Sequence, residues 1–384
     1  MEAMDIGNLA KECWEKLEKE IREMNHVNII ITGKTGVGKS TLINSVFREK
    51  LAEVGVGRPV TKGIKLLTKE NVPIRIYDTK GLELGSDAQK EAKKEIHDTI
   101  NQCYLTNDPD KYINVIWYCV NTQSARLEEN GEAMWIDELS NTGFTSVPVI
   151  IVLTKAYSKK QAFELKKEIE SYNLNVAAIV PVLAEPFELD GREPIAAYGG
   201  DKLIEITFQL IPESSRKAFV NAQRANVKMK SSTARKIVAA TVAATFGEGF
   251  VPIPFGDTPV LMATQVGMIA SITSVYGIDL NKAMITAIIS SIIGSSTMAI
   301  IGRTVSANLL KLIPGYGSVA GGLVSGATAA VLTTALGEAY IRIMELVASG
   351  KMKKEDLANK KGIKKMQSIF KDEFKNALKR MKNK

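Results

Sequence analysis

The chain has few of the side chains from which redox, disulfide and histidine-rich metal centres are built. Its 384 residues include three cysteines and two histidines. Cys13, Cys103 and Cys119 are scattered and odd in number, which excludes a zinc or redox motif of closely spaced cysteines and suits a reducing compartment. His26 and His97 are too far apart for a histidine metal motif, so we expect both to be structural or exposed.

An export signal is also missing, because residues 1–5 are acidic and no apolar core follows them. Together with the cysteine pattern, this predicts a cytoplasmic protein.

One glycine-rich segment follows the pattern G-x-x-x-x-G-K-[ST]. It comes directly after the apolar run 27–31 and before a helix-like segment. In this order of strand, turn and helix, successive backbone N–H groups face the phosphates of a nucleoside triphosphate. Lys39 would reach the β- and γ-phosphates, and Ser40 would bind Mg²⁺. The predicted nucleotide-binding residues here are Gly33, Lys34, Thr35, Gly36, Val37, Gly38, Lys39, Ser40 and Thr41.

Two later segments supply candidate partners for the metal and the γ-phosphate. The apolar run 72–77 leads into Asp78, which could hold Mg²⁺ directly or through water, and Gly81, whose N–H could reach the γ-phosphate. Thr61 is the candidate for the second Mg²⁺ ligand, which would order a switch segment when a γ-phosphate is present. Thr68 is the rival for that role.

This motif series resembles that of the Era-like and septin-like GTPases, and the resemblance covers residues 26–212. In these families the motifs follow one another along a mostly parallel sheet. Thr154 and Lys155 match the first two positions of the guanine-reading motif [NT]-K-x-D, and Ala184 matches the Ala of the later motif S-A-x. The resemblance implies GTP and Mg²⁺ as ligands, with exchange between GTP and GDP states.

The chain departs from the family pattern at the guanine-reading aspartate, which is replaced by Tyr157. Selectivity for guanine must then come from backbone groups or from the side chains of Tyr157 and Ser158.

A second departure concerns catalysis. Leu82 follows Gly81, where many small GTPases carry a glutamine that orients the attacking water. The resemblance to GTPases with a hydrophobic residue there implies slow hydrolysis, unless a partner, a second protomer or another switch residue completes the site. Glu83, Lys80 and Lys34 are the candidates within this chain.

The excess of basic over acidic side chains is confined to the C-terminal segment of the chain. The formal net charge is +8, yet residues 351–384 hold 13 basic and 4 acidic side chains, which leaves 37 basic and 38 acidic side chains for residues 1–350. Apolar residues recur in this tail at helical spacing, at Ile363, Met366, Phe370, Phe374, Leu378 and Met381. A basic amphipathic helix of this kind lies on an anionic membrane, contacts RNA phosphates or packs on its own protein. RNA is the less favoured partner, because aromatic residues for base stacking are sparse.

Charge almost disappears over three segments, 258–278, 283–302 and 312–337. Each is long enough to span a bilayer, which takes about 20 apolar residues, but each also contains polar residues that suit a soluble bundle. A faint repeat, Ile253-Pro254-Phe255-Gly256 and Ile313-Pro314-Gly315-Tyr316-Gly317, suggests two helical hairpins with Pro-Gly turns. The region resembles domain of unknown function number 697, found behind bacterial GTP-binding domains.

The N-terminal segment 9–24 predicts a helix with Trp14, Leu17, Ile21 and Met24 on one stripe. A helix that joins a C-terminal helical body beside a GTPase domain is the arrangement of the dynamin-like and immunity-related GTPases, to which the chain has a more distant likeness.

These observations predict an α/β P-loop GTPase domain with a mostly parallel sheet, followed by an all-α hydrophobic domain. The predicted boundaries are residues 1–25 for the N-terminal helix, 26–215 for the GTPase domain, 216–350 for two helical hairpins and 351–384 for the basic tail. The expected function is that of a slow, Mg²⁺-dependent GTPase switch, associated with a membrane through its helical domain and tail, in which Lys39, Thr61 and Gly81 act in catalysis. The resemblance also implies a homodimer through the GTPase domain. The alternatives are a ribosome-associated or RNA-associated assembly GTPase and a nucleotide-binding scaffold with negligible turnover.

Overall fold

The computed structural model describes residues 6–48, 51–54, 56–80, 86–124, 132–140, 147–246, 253–254, 258–292, 323–324 and 326–382. The chain divides into two compact units. Residues 24–226 form the α/β unit, and residues 1–23 and 227–384 form the helical unit. Residues 216–226, which the sequence assigned to the second domain, thus group with the α/β unit, and the N-terminal helix groups with the helical one.

A seven-stranded, mostly parallel sheet is the centre of the α/β unit, as predicted. Its strands are β1 (Val27–Gly33), β2 (Val56–Pro59), β3 (Ile64–Lys69), β4 (Val72–Thr79), β5 (Val115–Asn121), β6 (Val149–Thr154) and β7 (Ala178–Pro181). The strands lie in the order β2-β3-β4-β1-β5-β6-β7. β3 runs antiparallel to both of its neighbours, and the other pairings are parallel.

Helices cover both faces of this sheet. They are α2 (Lys39–Val46), α3 (Leu51–Val54), α4 (Ser86–Leu105), α5 (Met134–Ser140), α6 (Lys159–Ser171), α7 (Gly200–Leu210) and α8 (Glu213–Ala222). β1 and β6 are buried along their whole length, which is why their sequences are almost continuously apolar. On one face, Trp117 stacks on Phe47 and donates a hydrogen bond to the Thr207 hydroxyl. A separate antiparallel hairpin, β8 (Phe187–Leu189) and β9 (Arg192–Ile195), follows the last strand of the sheet.

The described residues of the helical unit include six α-helices. They are α1 (Ile6–Arg22), α9 (Val227–Phe246), α10 (Thr258–Tyr276), α11 (Lys282–Ile292), α12 (Gly326–Ala348) and α13 (Lys360–Lys382). α1 packs on α10 and α11, whereas α12 packs on α9, α10 and α13. Two short strands, β10 (Ile253–Pro254) and β11 (Leu323–Val324), pair antiparallel.

The N-terminal helix differs slightly from its prediction. Leu17 is buried in the core of the helical unit, and Trp14 and Ile21 pack partly buried against it. α1 ends at Arg22, however, so Met24 lies beyond the helix and belongs to the α/β unit.

The basic tail forms the predicted helix, α13, and its apolar stripe is part of the core of the helical unit. Met366, Phe370 and Phe374 are buried there, and Ile363 packs partly buried against them. The side chains of Leu378 and Met381 lie outside those that the structure describes. Of the three uses foreseen for this stripe, packing on the protein's own body is the one observed.

Only part of the uncharged sequence falls on described residues. The first uncharged segment forms α10, whereas much of 283–302 and of 312–337, including the second half of the repeat at 313–317, lies outside the described residues. Within the repeat's first half, Ile253 and Pro254 belong to β10. In the part of the chain that the structure describes, none of the helices combines enough length with enough hydrophobicity to cross a bilayer.

Candidate functional site

The predicted phosphate loop connects the end of β1 to the start of α2. Gly33 has φ +137°, and a Cβ at this position would collide with the backbone carbonyl oxygen of Cys119 on β5. Gly38 caps the N-terminus of α2 with φ 100°, a left-handed conformation that glycine adopts readily. The loop is therefore built from backbone geometry that side chains would obstruct, which leaves its N–H groups able to approach an anion at the helix N-terminus.

Lys39 lies in the first turn of α2 and reaches back over the loop. Its Nζ donates to the backbone oxygens of Gly33 at 3.0 Å and Lys34 at 3.3 Å. Burial lowers the pKa of Lys39, while the nearby carboxylate of Asp78 acts in the opposite direction. An ammonium group held by its own loop in this way can exchange carbonyl oxygens for phosphate oxygens without leaving the site.

Asp78 is the clearest sign of a cation site. Its Oδ1 atom is buried and has no hydrogen-bond partner among the described residues. Burial raises the pKa of Asp78, and the charges of Lys39 and Lys65 partly offset this effect. Asp78 interacts electrostatically with Lys39, the residue before Ser40. A carboxylate oxygen without a partner and a serine hydroxyl are oxygen donors of the kind that Mg²⁺ prefers, so the residues present fit this ion.

Thr61 lines the same cavity as Asp78, a space of about 370 Å³. Its hydroxyl oxygen accepts hydrogen bonds from the N–H groups of Gly63 at 3.2 Å and Ile64 at 3.0 Å. Thr68, the rival candidate, lies within β3 opposite Val56 and is not among the residues that line this cavity. Of the two candidates, Thr61 is thus the one that lines a cavity together with Asp78, and its role as a metal ligand stays a prediction.

A second cavity, of about 230 Å³, joins the phosphate loop to the ends of β6 and β7. Its lining includes Tyr157 and five residues that match the predicted nucleotide-binding motifs, namely Gly38, Thr41, Thr154, Lys155 and Ala184. These residues are far apart in sequence, and the parallel strands bring them together at one edge of the sheet, where α/β folds of this kind bind their ligands.

Thr154 and Lys155 tie the base end of this cavity to the phosphate loop. The Thr154 hydroxyl lies within hydrogen-bond distance of two backbone oxygens and can donate to either of them. One is that of Val37 in the loop, at 2.6 Å, and the other is that of Val120, at 3.0 Å. Lys155 has φ 52°, and its aliphatic stem lies beside Gly38, where an added Cβ would be 3.8 Å from its Cε. The two residues therefore position the loop as well as line the cavity.

Aromatic rings form one wall of the same cavity. The ring of Tyr157 packs on that of Phe187, with centroids 4.2 Å apart and planes tilted by 41°. Sequence reasoning missed Phe187, which opens the hairpin β8–β9. Its signal was present, because Asp190-Gly191 between two extended segments is typical of a hairpin turn and Gly191 adopts φ 69°.

A buried ion pair lies beside the phosphate loop. The Lys34 ammonium is 2.9 Å from a carboxylate oxygen of Glu132, whose side chain is 5% exposed. The Tyr118 hydroxyl donates to the other carboxylate oxygen at 2.7 Å. Sequence reasoning named Lys34 but missed Glu132, because no local pattern links the two positions.

The remaining candidates for the hydrolytic step are placed only in part. The Lys80 N–H donates to the Gly63 carbonyl at 2.7 Å, and Lys80 lines the cavity that contains Thr61. Gly81, Leu82 and Glu83 lie outside the described residues. Their roles stay predictions.

Two protein-family models match this chain. The model described as 50S ribosome-binding GTPase matches residues 28–155, and the model described as domain of unknown function DUF697 matches residues 210–377. The first matched range contains the phosphate loop, Thr61, Asp78 and Lys155. The second contains most of the described helical unit, including α13.

Individual proteins are similar to part of this chain. GTPase Era of Clostridium botulinum (strain Langeland / NCTC 10281 / Type F) is 27% identical over 195 residues, which are 48% of this chain and 55% of that protein. Septin-14 of Mus musculus is 33% identical over 94 residues, which are 23% of this chain and 22% of that protein. A crystal structure of a probable GTP-binding protein engB matches at 22% identity with a TM-score of 0.33, covering 48% of this chain and 98% of that one. The chain thus spans about half the length of the Era proteins it matches.

Proposed function

We propose that this chain, which carries a P-loop GTPase domain and a DUF697 domain, binds GTP with Mg²⁺ and hydrolyses it slowly as a conformational switch. The observation that supports this best is the cavity that joins the phosphate loop to Thr154, Lys155 and Ala184. Residues from three motifs that are separate in the sequence line it together.

The chain's own groups have distinct roles in this proposal. The N–H groups of the phosphate loop and the Lys39 ammonium bind the β- and γ-phosphates and stabilise the charge that develops on them. Ser40, Asp78 and Thr61 would hold Mg²⁺, which when bound neutralises charge on the phosphate oxygens. To reach the metal, the Thr61 hydroxyl would exchange its contacts with the N–H groups of Gly63 and Ile64. That exchange is the proposed switch, because it changes the loop conformation with the nucleotide state.

Slow turnover is expected from the sequence after β4. Leu82 has no polar atom with which to orient an attacking water. A second copy of the chain could supply the missing group. Phosphate release should therefore be measured over a range of protein concentrations: a rate per molecule that rises with concentration supports a dimer, and no release at any concentration supports the nucleotide-binding scaffold.

Substitution of Lys39 tests the binding site itself. In the full-length protein, Lys39→Ala should weaken Mg²⁺-dependent GTP binding by at least about hundredfold and abolish phosphate release, because it removes the charge at the β- and γ-phosphates. Lys160→Ala is the matched control, since Lys160 is an exposed lysine on α6 outside both cavities. Normal GTP binding and hydrolysis by the Lys39 variant would contradict the proposed function.

We further propose that the helical unit contacts an anionic membrane surface through the outer face of α13. The apolar stripe of α13 faces the core, while its basic residues Lys360, Lys361, Lys364, Lys365, Lys371, Lys375, Lys379 and Arg380 are exposed. Such a face attracts anionic headgroups by charge, at about 1 kcal/mol per basic residue near the surface. Contact of this kind would be peripheral and sensitive to salt.

Flotation with liposomes tests this second proposal. Replacement of Lys364, Lys365, Lys371 and Lys375 by glutamine should reduce binding to anionic vesicles by about hundredfold, and added salt should do the same to the wild type. A control variant carries the same change at four exposed lysines elsewhere: Lys90, Lys94, Lys160 and Lys236. Wild-type protein that ignores anionic vesicles but sediments with ribosomal particles in a salt-sensitive manner would favour the RNA alternative instead.

A further inference from the structure

The base end of the nucleotide cavity lacks the aspartate carboxylate of the guanine-reading motif [NT]-K-x-D. Guanine presents two adjacent donors, its ring N–H and its amino group, and a carboxylate that accepts from both discriminates strongly against adenine. The family pattern puts an aspartate at the position of Tyr157. A tyrosine has no carboxylate, so another acceptor must serve if this cavity is to select guanine.

Tyr157 makes an aromatic contact instead of offering a carboxylate. Its ring packs on Phe187 with a centroid separation of 4.2 Å, and the two rings form a wall of the cavity. Aromatic faces stack on any base and do not tell guanine from adenine. The Ser158 hydroxyl accepts a hydrogen bond from the Gln161 N–H at 3.3 Å as the N-cap of α6, so it too has a structural role.

The lining of the cavity offers a single carboxylate among the described residues, that of Glu185. Glu185 directly follows Ala184, which matches the Ala of the base-end motif S-A-x. Its side chain is exposed and is engaged in no ion pair within the described part of the chain. A carboxylate in this state is available to a ligand without first breaking an internal contact.

The backbone before Glu185 is fixed from two sides. Val182 donates its N–H to the Leu153 carbonyl at 2.8 Å, and Leu183 and Tyr198 exchange backbone hydrogen bonds of 3.0 Å. The Tyr198 hydroxyl in turn donates to the Ala156 carbonyl at 2.7 Å, which links this loop to the one that carries Tyr157. Glu185 therefore extends from an anchored position at the edge of the cavity, as a specificity residue requires.

We infer that Glu185 is the guanine-reading carboxylate of this protein, supplied by the loop after β7 in place of the aspartate that is missing after β6. The inference rests on the proposed function, because it assigns the base selectivity of the same nucleotide site. Its longer side chain, compared with aspartate, suits an approach from the neighbouring loop.

The test compares GTP with xanthosine triphosphate, in which a carbonyl replaces the guanine amino group. Glutamine at position 185 would keep an acceptor for the ring N–H and add a donor for that carbonyl. In the full-length protein with Mg²⁺, Glu185→Gln should therefore lower the ratio of GTP affinity to xanthosine triphosphate affinity by about hundredfold or more. Glu188→Gln is the matched control, because Glu188 is an exposed glutamate three residues later that does not line the cavity. The control should leave the ratio unchanged.

The affinity ratio separates a specific role from a general loss of folding or binding. A ratio that stays within about threefold of the wild-type value in Glu185→Gln would overturn the inference, whatever the absolute affinities. Wild-type protein that binds GTP, ATP and xanthosine triphosphate equally would also overturn it, while leaving triphosphate binding intact. Wild-type protein that binds no triphosphate would overturn the proposed function and this inference together.

Discussion

Both units contain paired polar side chains in their cores, but among the described residues only the α/β unit also contains buried polar atoms without a partner. In the helical unit, polar side chains inside the core are paired with one another or with backbone. Tyr276 shares a hydrogen bond with Ser231, Tyr340 with Thr273, and Lys230 donates to two carbonyl oxygens. In the α/β unit, Asp78 Oδ1 is buried and has no partner among the described residues, and no such atom occurs among those of the helical unit. Paired polar groups specify a fold, whereas an unpaired carboxylate at a cavity is a cost that a ligand can remove.

The largest effect should follow from breaking the pairing of Lys230. This side chain is 2% exposed, and its Nζ donates to the backbone oxygens of Val275 at 3.1 Å and Tyr276 at 3.0 Å, at the end of α10. Lys230→Met keeps most of the volume but leaves these carbonyls without their charged donor. We expect the helical unit to lose about 3 kcal/mol of its free energy of unfolding, measured by urea denaturation.

Nucleotide binding should change little in the Lys230→Met variant, since the substitution is confined to the helical unit. GTP affinity measured below the unfolding transition is the control. An unfolding midpoint equal to that of the wild type would show that the paired contacts of Lys230 are not stabilising.

A smaller loss should follow from Tyr340→Phe. The Tyr340 hydroxyl is buried and lies 2.7 Å from the Thr273 hydroxyl, which also contacts the Ile269 carbonyl at 2.7 Å. Loss of one buried hydrogen bond should cost about 1 kcal/mol, because Thr273 keeps a partner. Thermal unfolding followed by circular dichroism measures it, and Phe substitution of the half-buried Tyr157 is a comparison at a site without this buried pairing.

The smallest effect should have the opposite sign. Asp78→Asn removes the charge of a half-buried side chain whose Oδ1 has no hydrogen-bond partner among the described residues, so we expect the nucleotide-free protein to gain about 1 kcal/mol in stability while Mg²⁺-dependent GTP binding is lost. Burial raises the pKa of Asp78 in the folded state. Folding therefore favours the protonated form of Asp78. The contribution of this protonated carboxyl to the free energy of unfolding is fully present below the unfolded pKa and is lost as pH rises through the folded pKa.

The pH dependence makes the prediction specific to this carboxyl. The stability advantage of Asp78→Asn over the wild type should be greatest near neutral pH and shrink as pH falls toward the ordinary range for aspartate. Denaturation of the nucleotide-free proteins at several pH values measures it. A variant less stable than the wild type at neutral pH would mean that Asp78 has a stabilising role in the absence of a ligand.

The sequence predicted best those parts of the site that depend on local order along the chain. A strand, a glycine-rich turn and a helix must be consecutive, so Gly33 to Ser40 could be recognised at once, and Asp78 and Thr154 followed from their positions at the ends of apolar runs. A mostly parallel sheet was predicted from the resemblance of the motif series, and a helical second domain from the long uncharged segments, whereas the order of the strands was not predicted. The amphipathic pattern of α13 predicted a helix but not what its apolar stripe contacts, because periodicity defines a face and not its partner.

Contacts between distant segments could not be read in this way. Lys34 follows β1, and Glu132 accepts a hydrogen bond from Tyr118 on the neighbouring strand β5. Nothing in the sequence near either residue indicates the other. Phe187 and Glu185 reach the cavity through a loop and hairpin whose path depends on the anchoring of Leu183 to Tyr198. At the base end of the site, the sequence therefore predicted Thr154, Lys155 and Ala184, whereas the aromatic wall and the carboxylate are recognised only in the folded structure.

The division of the chain also has a consequence for synthesis. The helical unit is interrupted, because residues 24–226 separate α1 from the rest of it. The Glu20 carboxylate accepts from the hydroxyls of Ser271 and Ser274, 251 and 254 positions later. At a ribosomal rate of about 5–20 residues per second, α1 leaves the exit tunnel roughly 10–50 s before its partner helix exists. During that interval the α/β unit can fold. The nascent chain then contains a folded α/β unit, while the helical unit around it in sequence is still incomplete.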